Sequence, residues 1–140
     1  MAMKIAKPTG NARRQLSFTV FSGLDKKKRE KSLTVGIKRL SGRSSSGQLI
    51  VRRRGGGSKR LLRIIDFSLQ SHLGHNATVM SLEYDPNRSA NIALISYEDG
   101  TKRYILAPDK IKKGAEIVCD EKTLVKIGNR MKIKNIPAST

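Results

Sequence analysis

The stretch N-I-A-L-I-S-Y-E-D-G-T-K-R-Y-I-L-A, Asn91–Ala107, decides the fold. Two apolar, β-branched and aromatic segments flank Asp99-Gly100, a dipeptide suited to a tight hairpin turn because its residues tolerate positive φ. Read as a two-residue loop, the turn pairs Glu98 with Thr101, Ser96 with Arg103, Leu94 with Ile105 and Ile92 with Ala107. On the other face it pairs Tyr97 with Lys102 and Ile95 with Tyr104. Ile92–Ile95 is an unbroken apolar run, which predicts a strand covered on both sides.

Upstream, Leu61–Phe67 (L-L-R-I-I-D-F) and Ala77–Tyr84 have strand composition. In the second, Met80, Leu82 and Tyr84 fall on one face, with Ser81 and Glu83 on the other. Asp85-Pro86-Asn87-Arg88 has the chemistry of a type I turn, its proline fixing φ at the second position, which holds Arg88 at the turn exit. Downstream, Pro108–Gly114 is a basic connector. Ala115–Cys119 and Leu124–Ile127 are short strand candidates, and Gly128-Asn129 marks a turn. About five short strands without a long helix predict an all-β protein with a small OB-like barrel over 61–140.

Residues 1–60 differ in kind. They carry 17 Lys and Arg against two acids, Asp25 and Glu30, whereas residues 61–140 carry 12 against nine. The whole 140-residue chain has a net charge of +18. A compact state with that much like charge repels itself unless a polyanion neutralises it. The first segment therefore reads as a basic, largely extended arm, with a short strand candidate at Leu33–Lys38 and a flexible loop at Gly42–Gly47. The partner is a nucleic acid or an anionic membrane surface. No apolar run approaches the roughly 18–20 residues that span a bilayer, and repeated Gly and Pro break any long amphipathic helix, so the membrane reading is set aside.

The arm ends in V-R-R-R-G-G-G-S-K-R, Val51–Arg60. Its glycines let the backbone approach a bulky partner and free N–H groups for phosphate oxygens, while Arg52, Arg53, Arg54, Lys59 and Arg60 supply charge. A bare linker needs no such charge. A nucleotide-binding P-loop needs Lys directly after its last Gly and then Ser or Thr; here Ser58 precedes Lys59. His72 and His75 with the single cysteine, Cys119, lack the fourth ligand and spacing of a structural zinc site. Neither a catalytic residue set, a metal site nor a cofactor motif is evident. Tyr84, Tyr97 and Tyr104 could stack on bases, but their apolar neighbours favour core packing for most of them.

Val51–Arg60, R-I-I-D-F (Arg63–Phe67), E-Y-D-P-N-R-S-A-N-I-A-L-I (Glu83–Ile95) and K-R-Y-I-L-A-P (Lys102–Pro108) stand in that order. K-P-T (Lys7–Thr9), Arg13-Arg14, E-K-S-L (Glu30–Leu33) and N-I-P (Asn135–Pro137) join them. Together they resemble the bacterial-type family of large-subunit ribosomal protein two over the whole chain. The resemblance implies an OB-like barrel followed by an SH3-like one. It also implies binding to large-subunit ribosomal RNA near the peptidyl transferase centre, beside neighbouring ribosomal proteins, with a structural role in assembly. Carried onto this chain, the RNA contacts are Arg52, Arg53, Arg54, Gly55, Gly56, Gly57, Lys59, Arg60, Arg63, Arg88, Lys102 and Arg103. No cofactor or small-molecule substrate is implied.

Two departures stand out. Ser68-Leu69-Gln70 follow I-I-D-F where the family carries basic residues, and the chain stops where the family would enter its second barrel. The expectation is therefore RNA binding without a catalytic role, in a cytoplasmic or organellar ribosome. The match begins at Met1, which argues against a transit peptide. The alternatives are a free-standing OB-type single-strand binder, which stacks bases on exposed aromatics, and an enzyme acting on RNA.

Overall fold

The computed structural model describes residues 3–20, 23–26 and 29–138. Among them the protein is all-β, with strands β1 (Met3–Ile5), β2 (Ser17–Thr19), β3 (Thr34–Gly36), β4 (Leu61–Arg63), β5 (Asn76–Glu83), β6 (Ile92–Tyr97), β7 (Lys102–Leu106) and β8 (Glu116–Val118). All strand pairs are antiparallel: β1 with β2, β3 with β4, and a four-stranded sheet in the order β7-β6-β5-β8. The described residues from 61 onward thus hold five strands. Leu124–Ile127 is not one of them; it runs as an irregular segment whose Leu124 carbonyl accepts a hydrogen bond from the Asn129 side chain.

β6 is central, and Ile92–Ile95 is buried throughout, as the apolar run predicts. One face of the sheet packs Ala93 and Ile95 with Val79, Ile105, Ile111, Ile117 and Leu69. The other packs Ile92 and Leu94 with Tyr104, and with Leu33 and Ile65 from outside the sheet.

The β6–β7 hairpin exists, but its register is one residue away from the two-residue reading. Ser96 faces Lys102, Ile95 faces Arg103 and Leu94 faces Tyr104. The loop has three residues, Glu98-Asp99-Gly100, closed by the Tyr97 amide on the Thr101 carbonyl at 3.0 Å and the Gly100 amide on the Tyr97 carbonyl at 3.0 Å. A two-residue type I′ turn needs positive φ twice; a three-residue loop needs it once. Only Gly100 adopts it, at φ +80°. Asp99 instead accepts hydrogen bonds from the Thr101 amide and hydroxyl, each at 3.0 Å. The amide bond, before all else, keeps the Asp99 carboxyl below its ordinary pKa.

A second correction concerns β5. Its pairing with β6 slips between Val79 and Ser81, leaving Met80 as an extra, outward residue. The bulge changes which alternate side chains meet the core. Ala77 and Val79 join the first apolar face, whereas Ser81, Glu83 and the following Asp85 are buried. Met80 and Tyr84, read as one face with Leu82, are exposed.

Buried polar groups need partners, and here they find one another. The Tyr104 hydroxyl donates to Glu83 Oε2 at 3.0 Å, and the Ser81 hydroxyl donates to Glu83 Oε1 at 3.1 Å. The same Tyr104 oxygen accepts the Glu30 amide N–H at 3.0 Å, so the network reaches into the basic arm. The side chain of Glu30 holds Lys102 Nζ at 3.2 Å. Asp25 is the other anchor. Its amide donates to the Leu82 carbonyl at 2.8 Å, and its carboxylate accepts the Leu82 amide at 3.4 Å and faces Lys113 Nζ at 3.8 Å. The only two acids of residues 1–60 thus both fasten that segment to the sheet. β3 pairing with β4 adds a third tie across the same sequence boundary. Beyond β4 the chain continues to Ile65, which bridges Tyr104 at the edge of the large sheet, and the Asp66 amide donates to the Tyr104 carbonyl at 2.8 Å.

Burial, opposed in part by the Glu30 amide and reinforced by the Glu83 charge, pushes the Tyr104 phenol up to about 12 from 10.0. The folded state therefore holds that proton more tightly than the unfolded chain does. The associated stability is complete below pH 10 and is lost as pH rises towards about 12. Tyr104→Phe leaves Glu83 Oε2 and the Glu30 amide without this partner. It should cost about 1–3 kcal/mol in urea unfolding at neutral pH, and the alkaline loss of stability should be smaller than in the wild type.

Candidate nucleic-acid interface

The basic loop is built on one glycine. Gly42 sits at φ +73°, and a Cβ there would lie 2.4 Å from the Val51 carbonyl oxygen. The Gly42 carbonyl accepts the amides of Ile50 and Val51 at 2.9 and 3.0 Å. Between them the Ser44 amide donates to the Gln48 carbonyl at 2.8 Å, and Arg43 bridges Leu49. The segment read as a flexible loop is thus a closed turn. Its serine hydroxyls do what short polar side chains do in turns: Ser44 Oγ accepts the Gln48 amide at 3.2 Å.

This closure delivers Arg52–Arg54 to the surface directly beyond Val51. Two cations are engaged in holding the loop: Arg39 Nη1 donates to the Gly56 carbonyl at 2.9 Å, and Arg43 Nη1 to the Gly47 carbonyl at 3.0 Å. Sequence reasoning passed over both, since nothing local marks them. Arg52, Arg53, Arg54 and Lys59 are exposed and make no ion pair or side-chain hydrogen bond among the described residues. Arg53 holds a left-handed φ of +61°. Gly55 and Gly57 are exposed and Gly56 is half-buried against Arg39.

A second basic group forms where β4 meets the 85–88 turn. Asp85 is fully buried and accepts Arg88 Nε at 2.7 Å and Arg63 Nη1 at 3.5 Å. The Asn87 amide donates to Asp85 Oδ1 at 3.1 Å, and Asn87 Nδ2 donates to the Leu61 carbonyl at 2.8 Å, locking the turn to β4. Arg88 N–H on the Asp85 carbonyl at 3.4 Å closes the turn that Asp-Pro-Asn-Arg predicts. Arg60 joins through Nη1 on the Pro86 carbonyl at 3.0 Å. One carboxylate cannot neutralise three guanidiniums, so the group keeps a positive excess.

The structure therefore brings Arg60, Arg63 and Arg88 together, adjoining the exposed Arg52–Lys59 segment in the chain. It separates Lys102 from Arg103. Neighbouring strand residues point to opposite faces; Lys102 shares the Tyr104 side, where Glu30 holds it, and Arg103 lies across from Ile95 on the other. The histidines have an aromatic role: His72 stacks on Tyr97 with centroids 4.1 Å apart, and His75 meets His72 edge-on. Burial pushes the Cys119 thiol up, partly opposed by the Arg130 charge, so it is a poor nucleophile.

Compared with models of known protein families, residues 30–119 match that of the ribosomal proteins L2, RNA-binding N-terminal domain. This span is well over half of the chain. The chain belongs to the ribosomal protein L2 family. The L2 match opens at the Glu30 latch and closes at Cys119, just beyond β8, so it contains the glycine loop, the Asp85 turn and the whole four-stranded sheet. The chain is accordingly a ribosomal protein that binds ribosomal RNA, a component of the large subunit and of translation. No helix among the described residues is long and apolar enough to cross a membrane.

The two groups of arginines should respond differently to substitution. Asp85→Ala strands partly buried guanidiniums and should destabilise the fold by about 3–5 kcal/mol in denaturant titration. Arg54→Ala removes an exposed, unpaired side chain and should stay within about 0.5 kcal/mol of wild type.

Proposed function

We propose that this L2-family chain is a structural constituent of the large subunit that grips ribosomal RNA through its glycine-arginine loop. The segment 1–60 threads the RNA and the globular part 61–140 docks against it. One observation carries this reading: Arg52, Arg53, Arg54 and Lys59 stand exposed without protein partners among the described residues, on a segment that leaves the hydrogen-bonded Gly42–Val51 turn and is tied back by Arg39 at the Gly56 carbonyl. Opposed phosphates would neutralise these cations, and released counterions would drive association. The closed turn before the segment and the Arg39 tie within it reduce the ordering cost of binding. Arg60, Arg63 and Arg88 extend the contact past the loop, with the glycine amides open to phosphate oxygens. Lys102 and Arg103 contribute on separate faces of β7. Neighbouring ribosomal proteins share the site in the assembled particle, in the cytoplasm or in an organelle, and the role is assembly and support of translation without catalysis.

A free-standing single-strand binder needs exposed stacking aromatics. The chain has three Tyr, three Phe and no Trp, and Tyr97 and Tyr104 are buried. That scarcity favours the ribosomal reading.

Affinity for large-subunit ribosomal RNA should fall by roughly 10³–10⁵ between 50 and 200 mM salt if about six to ten phosphates are contacted. Arg53→Ala with Arg54→Ala should weaken binding and flatten the slope of log affinity against log salt by about two, with unfolding unchanged. Filter-binding titrations at several salt concentrations provide the check; a flat response in the wild type would refute the electrostatic grip.

A further inference from the structure

We propose that Phe67 and Arg130 form a second RNA contact, a stacking site for an unpaired base; this rests on the RNA-binding reading above. The turn after β4 creates it. Ile65 and Leu69 are drawn inward, and Leu69 is 1% exposed. Leu69 reaches the core through a left-handed φ of +52°, held by Asp66 Oδ1, which accepts the Leu69 amide at 2.9 Å and the Ser68 amide at 3.2 Å. A positive φ is uncommon for a bulky residue and persists only where its surroundings enforce it. Its consequence is that Phe67, between two inward residues, is turned out to solvent at 61% exposure. That makes it the most exposed Phe or Tyr ring among the described residues, in a chain that has few such rings to spare.

Phe67 borders a cavity of about 310 Å³ lined by the apolar run Ile105–Pro108, by Asn129 and Arg130, and by Asp66, whose Oδ1 is taken up by the Ser68 and Leu69 amides. This is at the small end of the roughly 300–1,000 Å³ typical of small-ligand sites, suited to one planar ring system. Arg130 is fixed at its backbone, donating to the Val118 carbonyl at 3.0 Å and accepting the Asp120 amide at 3.1 Å. Its Nη2 donates to the Phe67 carbonyl at 2.9 Å. A guanidinium has five N–H donors, so most of this one remains open, and no carboxylate pairs with it among the described residues. An apolar peptide side chain would fill the wall and leave that charge unanswered. A nucleotide answers both, with its base on Phe67 and its phosphate on Arg130. The residues following Phe67, Ser68-Leu69-Gln70, carry no charge; Arg130, 63 positions along the chain, brings the cation to this place through space.

The test uses the full chain bound to large-subunit ribosomal RNA. Ultraviolet crosslinking with peptide mapping should give a nucleotide adduct on the Phe67 peptide as well as on the Arg52–Arg60 peptide. Phe67→Ala should lower affinity roughly 5- to 150-fold without changing the salt slope, because stacking displaces no counterion. Phe67→Tyr should keep the affinity, and Arg130→Gln should flatten the slope by about one. Phe67 is exposed, so amide exchange of the alanine variant should match wild type in the sheet. Wild-type affinity in Phe67→Ala, with adducts confined to Arg52–Arg60, would overturn the stacking site and leave the loop reading standing. The same affinity with impaired co-assembly of other ribosomal proteins would also overturn it, by making the occupant a protein. Salt-independent binding, unmoved by Arg53→Ala with Arg54→Ala, would remove the underlying RNA reading itself.

Discussion

A buried phenol helps to tie the basic segment 1–60 to the sheet. Tyr104 lies in the second apolar face of the sheet beside Leu94, with no exposure to water, and its oxygen must find partners there. It donates to Glu83 and accepts from the Glu30 amide. Both partners depend on earlier events in the chain: the β5 bulge turns Glu83 inward, and the arm must cross the sheet to present Glu30. The ribbon of β3 and β4 starts only a few residues from that amide, so the basic loop inherits its placement from a hydrogen bond in the core.

Charge is distributed according to the same logic. In a segment with 17 cations, the two carboxylates are used as anchors, leaving most of the positive side chains for something outside the protein. Where arginines approach the core, the fully buried Asp85 meets them, and the turn that supplies Asp85 also fixes Asn87 and Arg88. The molecule thus has cations of two sorts. Arg63 and Arg88 are positioned by a carboxylate, whereas Arg52–Arg54 are exposed and have no side-chain partner among the described residues.

Much of the architecture was legible because it is local. Five strands stand close to where β-branched and aromatic runs fall, and the Asp85 turn follows from its proline and Asx chemistry. The errors came from choices between two locally acceptable answers. Asp99-Gly100 suits a two-residue turn and equally a three-residue one, and the Thr101 hydrogen bonds to Asp99 decided between them. Alternation in Ala77–Tyr84 suggested a Met80, Leu82 and Tyr84 face, until the bulge at Met80 reset the pairing. Gly42–Gly47 looked like a flexible loop, since the Val51 carbonyl against which Gly42 closes lies outside that hexapeptide.

The sequence by itself determined the all-β class, the segregation of charge into residues 1–60, and the placement of five cations around three glycines. Each depends on residue type and near-neighbour order, which fix backbone preference and net charge directly. Only the tertiary structure decided which cations remain free, which face of β5 is buried, and that Arg130 stands beside Phe67. An ion pair or a hydrogen bond forms only when groups come within about 3–4 Å. Residues 63 positions apart reach that distance only after the chain has packed.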